Sequence, residues 1–201
     1  MAVILASASA IRRTLLEQAG VVLSCRPAAV DEAEVRRRHQ GHPGRSAAGV
    51  ALVLAEMKAR RVAVDHPGAA VIGADQMLEC GDRWFDKPGS VAEAREQLRT
   101  LRGRSHVLSS AVVVVRDGTV LWHRTEQARL TMRPFTDGFI DAYLDAVGEA
   151  ALQSVGAYQL EGLGAHLFSR VDGDYFTILG LPLLPLLSFL SGHGVGLDQA
   201  A

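Results

Sequence analysis

The sequence predicts an α/β protein, a mixed β-sheet flanked by helices, and three observations predict it. Short apolar runs bounded by turn residues alternate with segments whose apolar residues recur at helical spacing. Asp117-Gly118 stands between two long strand-like runs, the strongest short-range hairpin signal in the chain. The 201 residues are 48% hydrophobic and 21% charged, a balance that builds a core and lies far from disordered composition. Helices alternating with strands, plus one long hairpin, give a mixed sheet.

Each element follows from its residues. Val3 to Ala6 is a short apolar run suited to a buried strand, and Ser7-Ala8-Ser9 is a small-residue turn. A helix fits Ala10 to Ala19, with Ile11, Leu15, Leu16 and Ala19 on one face and Gly20 as its stop. Val21 to Arg26 returns as a strand. Val30 to Gly44 is polar, with the run Arg36-Arg37-Arg38 and the breaker Gly41-His42-Pro43-Gly44, and reads as a loop or short helix carrying solvated charge. A long helix runs from the N-cap Ser46 to Val64. Ala69 to Ala74 reads as a buried strand ending at Asp75. Ser90-Val91-Ala92-Glu93 is a capping-box sequence opening a helix to Leu101. His106 to Arg116 and Val120 to Met132 are the arms of the hairpin. Thr136 caps a helix with Phe139, Ile140, Tyr143, Leu144 and Val147 on one face. Ala165 to Val171 and Tyr175 to Leu179 read as two short strands, and a closing helix follows Pro182. With no repeat and no low-complexity linker, residues 1–201 are expected to form a single domain, 192–201 being a flexible tail.

Composition excludes several functions. Lys+Arg is 21 against Asp+Glu 22, a formal charge of −1, which argues against a nucleic-acid partner or a polybasic membrane binder. The most apolar stretch, Ile178 to Leu190, is 13 residues long and contains two prolines, short of the roughly 20 residues of a membrane span. The N-terminal apolar run precedes its positive charges, the reverse of a secretory signal. Cys25 and Cys80 form no CxxC motif, and free thiols in a reducing cytoplasm are the expectation. The seven histidines show no HExxH and no Cys/His cluster, and GxSxG, GxGxxG and Walker A patterns are missing. Among the basic residues, 19 are arginine and two are lysine, Lys58 and Lys87. Either the chain has drifted in an Arg-rich proteome, or two positions need a compact ammonium.

Five places can carry chemistry. Leu5 to Arg13 is a strand, a small-residue turn and a helix start with two arginines; it suits an anion, or is a capped helix with solvated arginines. Asp75 at the carboxyl end of a buried strand can hold Mg²⁺ or orient a water, or is a turn residue. Lys87 before Pro88 is held extended, for a ligand or a plain surface turn. Lys58 lies in the long helix beside Arg60 and Arg61, where a solvated basic face is the simpler account. In Gly156 to Gly164, Glu161 is the one carboxylate; it can accept from a base edge or cap a turn.

Together these segments are similar to the Maf family of nucleoside triphosphate pyrophosphatases, once called septum formation proteins. Its signature is LASxSPRR, then GAD, then KP, then GxYxxxGxG, G(D/S)Y and GLP. Here these stand as LASASAIRR (Leu5 to Arg13), GAD (Gly73 to Asp75), KP (Lys87, Pro88), GAYQLEGLG (Gly156 to Gly164) and GDYFTILGLPL (Gly173 to Leu183), in the same order across residues 3–190. The resemblance implies a Maf/ITPase-like fold, an elongated mixed sheet in two lobes around a central cleft, in a cytoplasmic homodimer with a nucleotide as its small-molecule partner. It implies hydrolysis of the α–β phosphoanhydride to a monophosphate and pyrophosphate. The triphosphate would lie at Ser7, Ser9, Arg12 and Arg13, faced by Lys58 and Lys87, with Asp75 as the catalytic acid-base carboxylate. A divalent cation, Mg²⁺ or Mn²⁺, would be held by Asp75 and Glu32 and help stabilise the leaving pyrophosphate.

Where the family has SPRR, here Ala10 and Ile11 precede Arg12-Arg13, and the helix start tolerates the loss of Pro because Pro there mainly preorganises the turn. Ile11, Gln76 and Glu161 fall on the family's specificity positions, and their combination resembles the 7-methyl-GTP subgroup. Guanine offers N1–H and N2–H₂ side by side, which one carboxylate can take bidentately, whereas thymine and uracil suit an amide better. N7-methylation adds positive charge that favours a carboxylate further, although Ile11 has no aromatic face to stack on it. The alternatives are a dTTP/UTP or broad-specificity pyrophosphatase, and a nucleotide-binding regulator of septum formation.

Overall fold

The computed structural model describes residues 1–40, 42, 44 and 46–196. Its strands are β1 (Val3–Leu5), β2 (Ser24–Cys25), β3 (Ala70–Cys80), β4 (Arg83–Phe85), β5 (Ser105–Arg116), β6 (Thr119–Met132) and β7 (Phe168–Asp172). Among the described residues they form one sheet in the order β2-β1-β3-β5-β6-β7, with β4 paired to β3 off that path. The helices are α1 (Ala10–Gln18), α2 (Glu32–His39), α3 (Ala47–Ala63), α4 (Val91–Leu101), α5 (Asp137–Val147), α6 (Tyr175–Ile178) and α7 (Leu183–Ser191). Parallel and antiparallel pairs coexist, so the mixed α/β sheet is as expected.

The chain divides into two compact units. The first holds Met1–Gln76, Ser109–Glu126 and the described residues from Asp174 on. Here β1 is parallel to β2 on one side and to β3 on the other, with Leu5 opposite Cys25 and Ile72. The apolar faces expected for these elements meet in one core, where Leu5, Leu16, Ile72, Val112, Leu186 and Leu190 are buried. The strand expected over Val21 to Arg26 shrinks to Ser24–Cys25, because the chain still closes α1 at Val21, whose N–H donates to Leu16 O. The loop-or-helix segment is a helix, α2, capped by Asp31 and laced by Glu32–Arg36 and Glu34–Arg38 pairs at i,i+4 spacing.

Further expectations are corrected along the chain. The strand expected to end at Asp75 runs on to Cys80, because Leu78 to Cys80 find a new antiparallel partner in β4. Tyr175 to Leu179 is not a strand: Asp174 Oδ1 caps a helical turn by accepting from Thr177 N at 2.8 Å. Of the tail expected over 192–201, Val195 is buried in the core and its N–H donates to Leu190 O; residues 197–201 lie outside the described residues.

Helix α3 begins at the expected cap, Ser46, whose Oγ accepts from Gly49 N at 3.1 Å. Ala47, Ala51, Ala55, Ala59 and Ala63 recur every fourth residue and are all buried, a low ridge that lets the helix lie close to the sheet. It lies so close to β3 that a Cβ on Gly73 would stand 2.8 Å from Ala59 N. The hairpin turn has Asp117 at φ 49° and Gly118 at φ 76°, the left-handed pair that Asp-Gly supplies.

The second unit holds Met77–Leu108 and Gln127–Gly173. Ser90 caps α4 by accepting from Glu93 N, and the Glu93 carboxylate accepts from Gly89 N, one residue short of the reciprocal partner of a standard capping box. Thr136 caps α5 as expected. Tyr143 O–H donates to Ala157 O, and His106 Nε2 lies 2.7 Å from Tyr158 Oη inside the unit. The strand expected near Ala165 starts later, as β7, after a 3₁₀ turn over Leu163–Leu167.

Candidate active site

Strand β1 has β2 on one side and β3 on the other, so the sheet's order reverses there, and ligands of α/β sheets lie outside the carboxyl ends of strands at such a point. Strand β1 stops at Leu5, while β3 continues through Gly73, Ala74 and Asp75. Asp75 therefore stands beside the place that β1 has vacated, where the chain turns through Ser7-Ala8-Ser9 into α1. Ser9 Oγ accepts from Arg12 N as the N-cap, and Ser7 Oγ accepts from Ser9 N at 3.2 Å. Ser7, Ala8, Ser9, Ala10 and Arg13 line a surface depression at this helix N-terminus, with Thr14, Glu17, Cys25 and Pro27 completing it.

Arg12 ties this turn to β3. Its guanidinium is buried, donating from Nε to Gly180 O at 2.8 Å and from Nη1 to Ala74 O at 2.8 Å, with Ser7 Oγ 3.4 Å away. Burial pushes this guanidinium below its ordinary value, while Asp75 and Glu32 pull it back up. Gly180 receives it at φ 96°, where a Cβ would stand 3.3 Å from Arg12 Nη2. Nε and Nη1 of the arginine expected to fork a phosphate thus buckle two loops to the sheet. Arg13 is the exposed one of the pair, 2.7 Å from Glu17 on the wall of the depression.

The close approach of α3 at Gly73 brings Lys58 to the same place. Lys58 is 7% exposed and Asp75 3%; Lys58 Nζ lies 2.6 Å from Asp75 Oδ1 and 2.7 Å from Glu32 Oε1. The solvated basic face therefore does not include Lys58, although Arg60 and Arg61 do pair with Glu56 and Asp65 at the surface. Burial pushes the Glu32 carboxyl up, but Lys58 and Arg36 outweigh it and hold it below the usual carboxylate value. Asp75 Oδ2 is buried and accepts no hydrogen bond among the described residues, a vacancy that costs about 1–3 kcal/mol when nothing fills it. Hard oxygens from two carboxylates suit Mg²⁺ or Mn²⁺, which take one or two protein carboxylates plus phosphate oxygens. The open Oδ2 beside Glu32 fits such an ion. Among the described residues no group of three or more His, Cys, Asp or Glu gathers, so an all-protein cage is not what this site offers.

The specificity candidates have separate surroundings. Ile11 packs half-buried against the core. Gln76 Nε2 donates to Ser110 Oγ, Thr177 O and Ile178 O at 3.0, 3.2 and 2.9 Å, so its amide holds α6 against β3. Lys87 and Glu161 belong to the second unit. Lys87 is exposed between β4 and α4, ahead of buried Pro88. Glu161 is exposed in a turn closed by Gly162 N donating to Gln159 O. The residue that sequence reasoning passed over is Arg36, whose Nη2 donates to Glu32 Oε2 at 2.9 Å and lies 3.7 Å from Asp75 Oδ2. Its signal was the i,i+4 spacing from Glu32 to Arg36, hidden inside a run of three arginines.

A family model described as Maf-like protein matches residues 2–193. The nucleoside triphosphate pyrophosphatase of Paramagnetospirillum magneticum is 56% identical over 190 residues, 94% of this chain and 97% of that one. A protein of the same name from Rhodospirillum rubrum is 50% identical over 193 residues, 96% of this chain and 95% of that one. The 7-methyl-GTP pyrophosphatase of Rhizobium meliloti is 54% identical over 191 residues, 95% of this chain and 96% of that one.

Proposed function

This chain belongs to the Maf family and is a nucleoside triphosphate pyrophosphatase, and from that premise we propose that it cleaves 7-methyl-GTP between its α- and β-phosphates. One observation supports this placement of the chemistry: a buried Lys58–Asp75 pair whose Asp75 Oδ2 accepts no hydrogen bond among the described residues, beside the serine turn at the start of α1. A relative named for 7-methyl-GTP at 54% identity, together with the Ile11/Gln76/Glu161 combination, supports the base.

Each residue then has a task. Lys58 fixes the Asp75 carboxylate through Oδ1, so Oδ2 is held still either to accept a proton of the attacking water or to hold the cation that activates it. The first N–H groups of α1, which lack intrahelical partners, and the hydroxyls of Ser7 and Ser9 receive phosphate oxygens, with Arg13 at the rim. Lys58 adds ammonium charge where the pyrophosphate gathers negative charge as it leaves, the task that the family resemblance also gives Lys87. A divalent cation at Asp75 and Glu32 would neutralise phosphate charge when bound. The family resemblance gives Glu161 the task of receiving the N1–H and N2–H₂ edge of guanine. Arg12 acts through position, keeping the serine turn against the strand that carries Asp75. In this reading the enzyme clears modified nucleotides in the cytoplasm, where the free thiols of Cys25 and Cys80 stay reduced, and works as a homodimer.

The test is a panel of ordinary and modified nucleoside triphosphates with Mg²⁺ or Mn²⁺, scoring monophosphate and pyrophosphate release. The highest kcat/KM is expected on 7-methyl-GTP; clearly higher efficiency on dTTP or UTP overturns the base assignment. Asp75→Asn is expected to abolish turnover in a folded protein, and near-wild-type turnover would remove Asp75 from the chemistry.

A further inference from the structure

The three consecutive arginines of α2 do not share one environment. Arg37 and Arg38 pair with Glu34 and keep 78% and 73% of their side-chain surface exposed, whereas Arg36 keeps 17%. Arg36 Nη2 donates to Glu32 Oε2 at 2.9 Å and lies 3.7 Å from Asp75 Oδ2. Lys58 Nζ takes the other oxygen of each carboxylate, Glu32 Oε1 at 2.7 Å and Asp75 Oδ1 at 2.6 Å. Each carboxylate therefore turns one oxygen to Lys58 and the other to Arg36.

We propose that Arg36 is a positioning residue that stands in for the divalent cation in the nucleotide-free protein and sets the affinity of the Asp75–Glu32 pair for that cation. The inference rests on the reading that these two carboxylates hold the ion. With Oδ1 and Oε1 engaged by Lys58, the oxygens left for an ion are Oδ2 and Oε2, the two that face Arg36. Lys58 and Arg36, with the buried Arg12 close by, offset the two carboxylates, so the pair carries no net negative charge to attract stray ions. A divalent ion binds carboxylate oxygen at about 2.0–2.1 Å for Mg²⁺, far closer than the guanidinium can approach, and so displaces Arg36 from Oε2.

The test titrates the full, nucleotide-free chain with Mn²⁺ and follows free Mn²⁺ by its electron paramagnetic resonance signal, a measurement independent of turnover. Arg36→Gln removes one positive charge from the pair and is expected to lower the Kd for Mn²⁺ about thirtyfold, the scale of one unit charge acting on a divalent ion across about 4 Å in a water-like medium. Arg36→Lys keeps the charge and is expected to bind Mn²⁺ like the wild type, while Asp75→Asn loses the site. If Arg36→Gln binds Mn²⁺ no more tightly than the wild type while Asp75→Asn loses binding, the role of Arg36 is refuted and the carboxylate reading stands. Equal tightening in Arg36→Lys also refutes it, since charge would then not be the cause. If Asp75→Asn binds as the wild type does, or neither wild type nor Arg36→Gln binds Mn²⁺, both readings fall together.

Discussion

Replacing Gly73 by alanine tests the packing that assembles the site. The added Cβ would stand 2.8 Å from Ala59 N and 2.9 Å from Ala59 Cβ, and closer still to Ala55 O. These atoms are helix backbone or fixed directly to it, so no side-chain rotation relieves the contact. Carbon atoms settle about 3.5–4.0 Å apart, so α3 must back away from β3 by about 1 Å. Lys58 travels with it, and its 2.6 Å contact to Asp75 opens to about 3.6 Å, beyond hydrogen-bond range. Overpacking of this kind costs about 1–3 kcal/mol, and each kcal/mol lowers Tm by about 2–4 °C in a chain of this size. Gly73→Ala should therefore melt about 2–12 °C below the wild type by calorimetry. Misplacing a catalytic group by about 1 Å costs on the order of a hundredfold in rate, so pyrophosphate release should fall by about that factor. A variant that melts within about 1 °C of the wild type and turns over normally would refute the close approach of α3 as the device that seats Lys58.

Two other perturbations probe buried charge. Lys58→Met leaves Asp75 buried without its partner and should cost about 3–5 kcal/mol by denaturant unfolding at neutral pH, most of it recovered in the double variant with Asp75→Asn. If the double variant is no more stable than Lys58→Met, the pair is not coupled as its geometry requires. His106 is pushed down to about 4 by burial, so the folded protein binds its proton later than the unfolded chain does near 6.5. The unfolded state alone gains a proton as pH falls from about 6.5 to about 4, and the wild type should lose about 3 kcal/mol across that window. His106→Gln should lack this loss, whatever its stability at pH 7; matching pH profiles of stability for the two proteins would refute the assignment.

Local chemistry made much of the fold legible. Ser46, Ser90 and Thr136 each cap the helix they were expected to start, and Ser9 caps α1, since a hydroxyl and a helix N–H lie within a few residues of each other. Asp-Gly set the hairpin turn for the same reason. The errors fall where partners are remote. Asp75 looked like a strand end because its polar side chain follows an apolar run, but β4 continues the pairing. Tyr175 to Leu179 looked like a strand from its apolar residues, and the cap at Asp174 with a hydrogen-bonded exit at Gly180 decided for a helical turn.

The same division holds at the site. The sequence by itself determined which residues are chemically able to act: two lysines among 21 basic residues, a serine turn before a helix, and a carboxylate after an apolar strand. Their order along the chain also sufficed to reveal the family, because short motifs carry their meaning in residue type and spacing. Only the tertiary structure decided the roles inside the cluster. It buried Arg12 as a buckle, left Arg13 at the rim, drew Arg36 out of a solvated run, and set Lys58 against Asp75 through an alanine ridge and one glycine. The physical reason is that these outcomes depend on how near two distant stretches of backbone can come, a quantity that volume and packing fix in three dimensions and that no local spacing records.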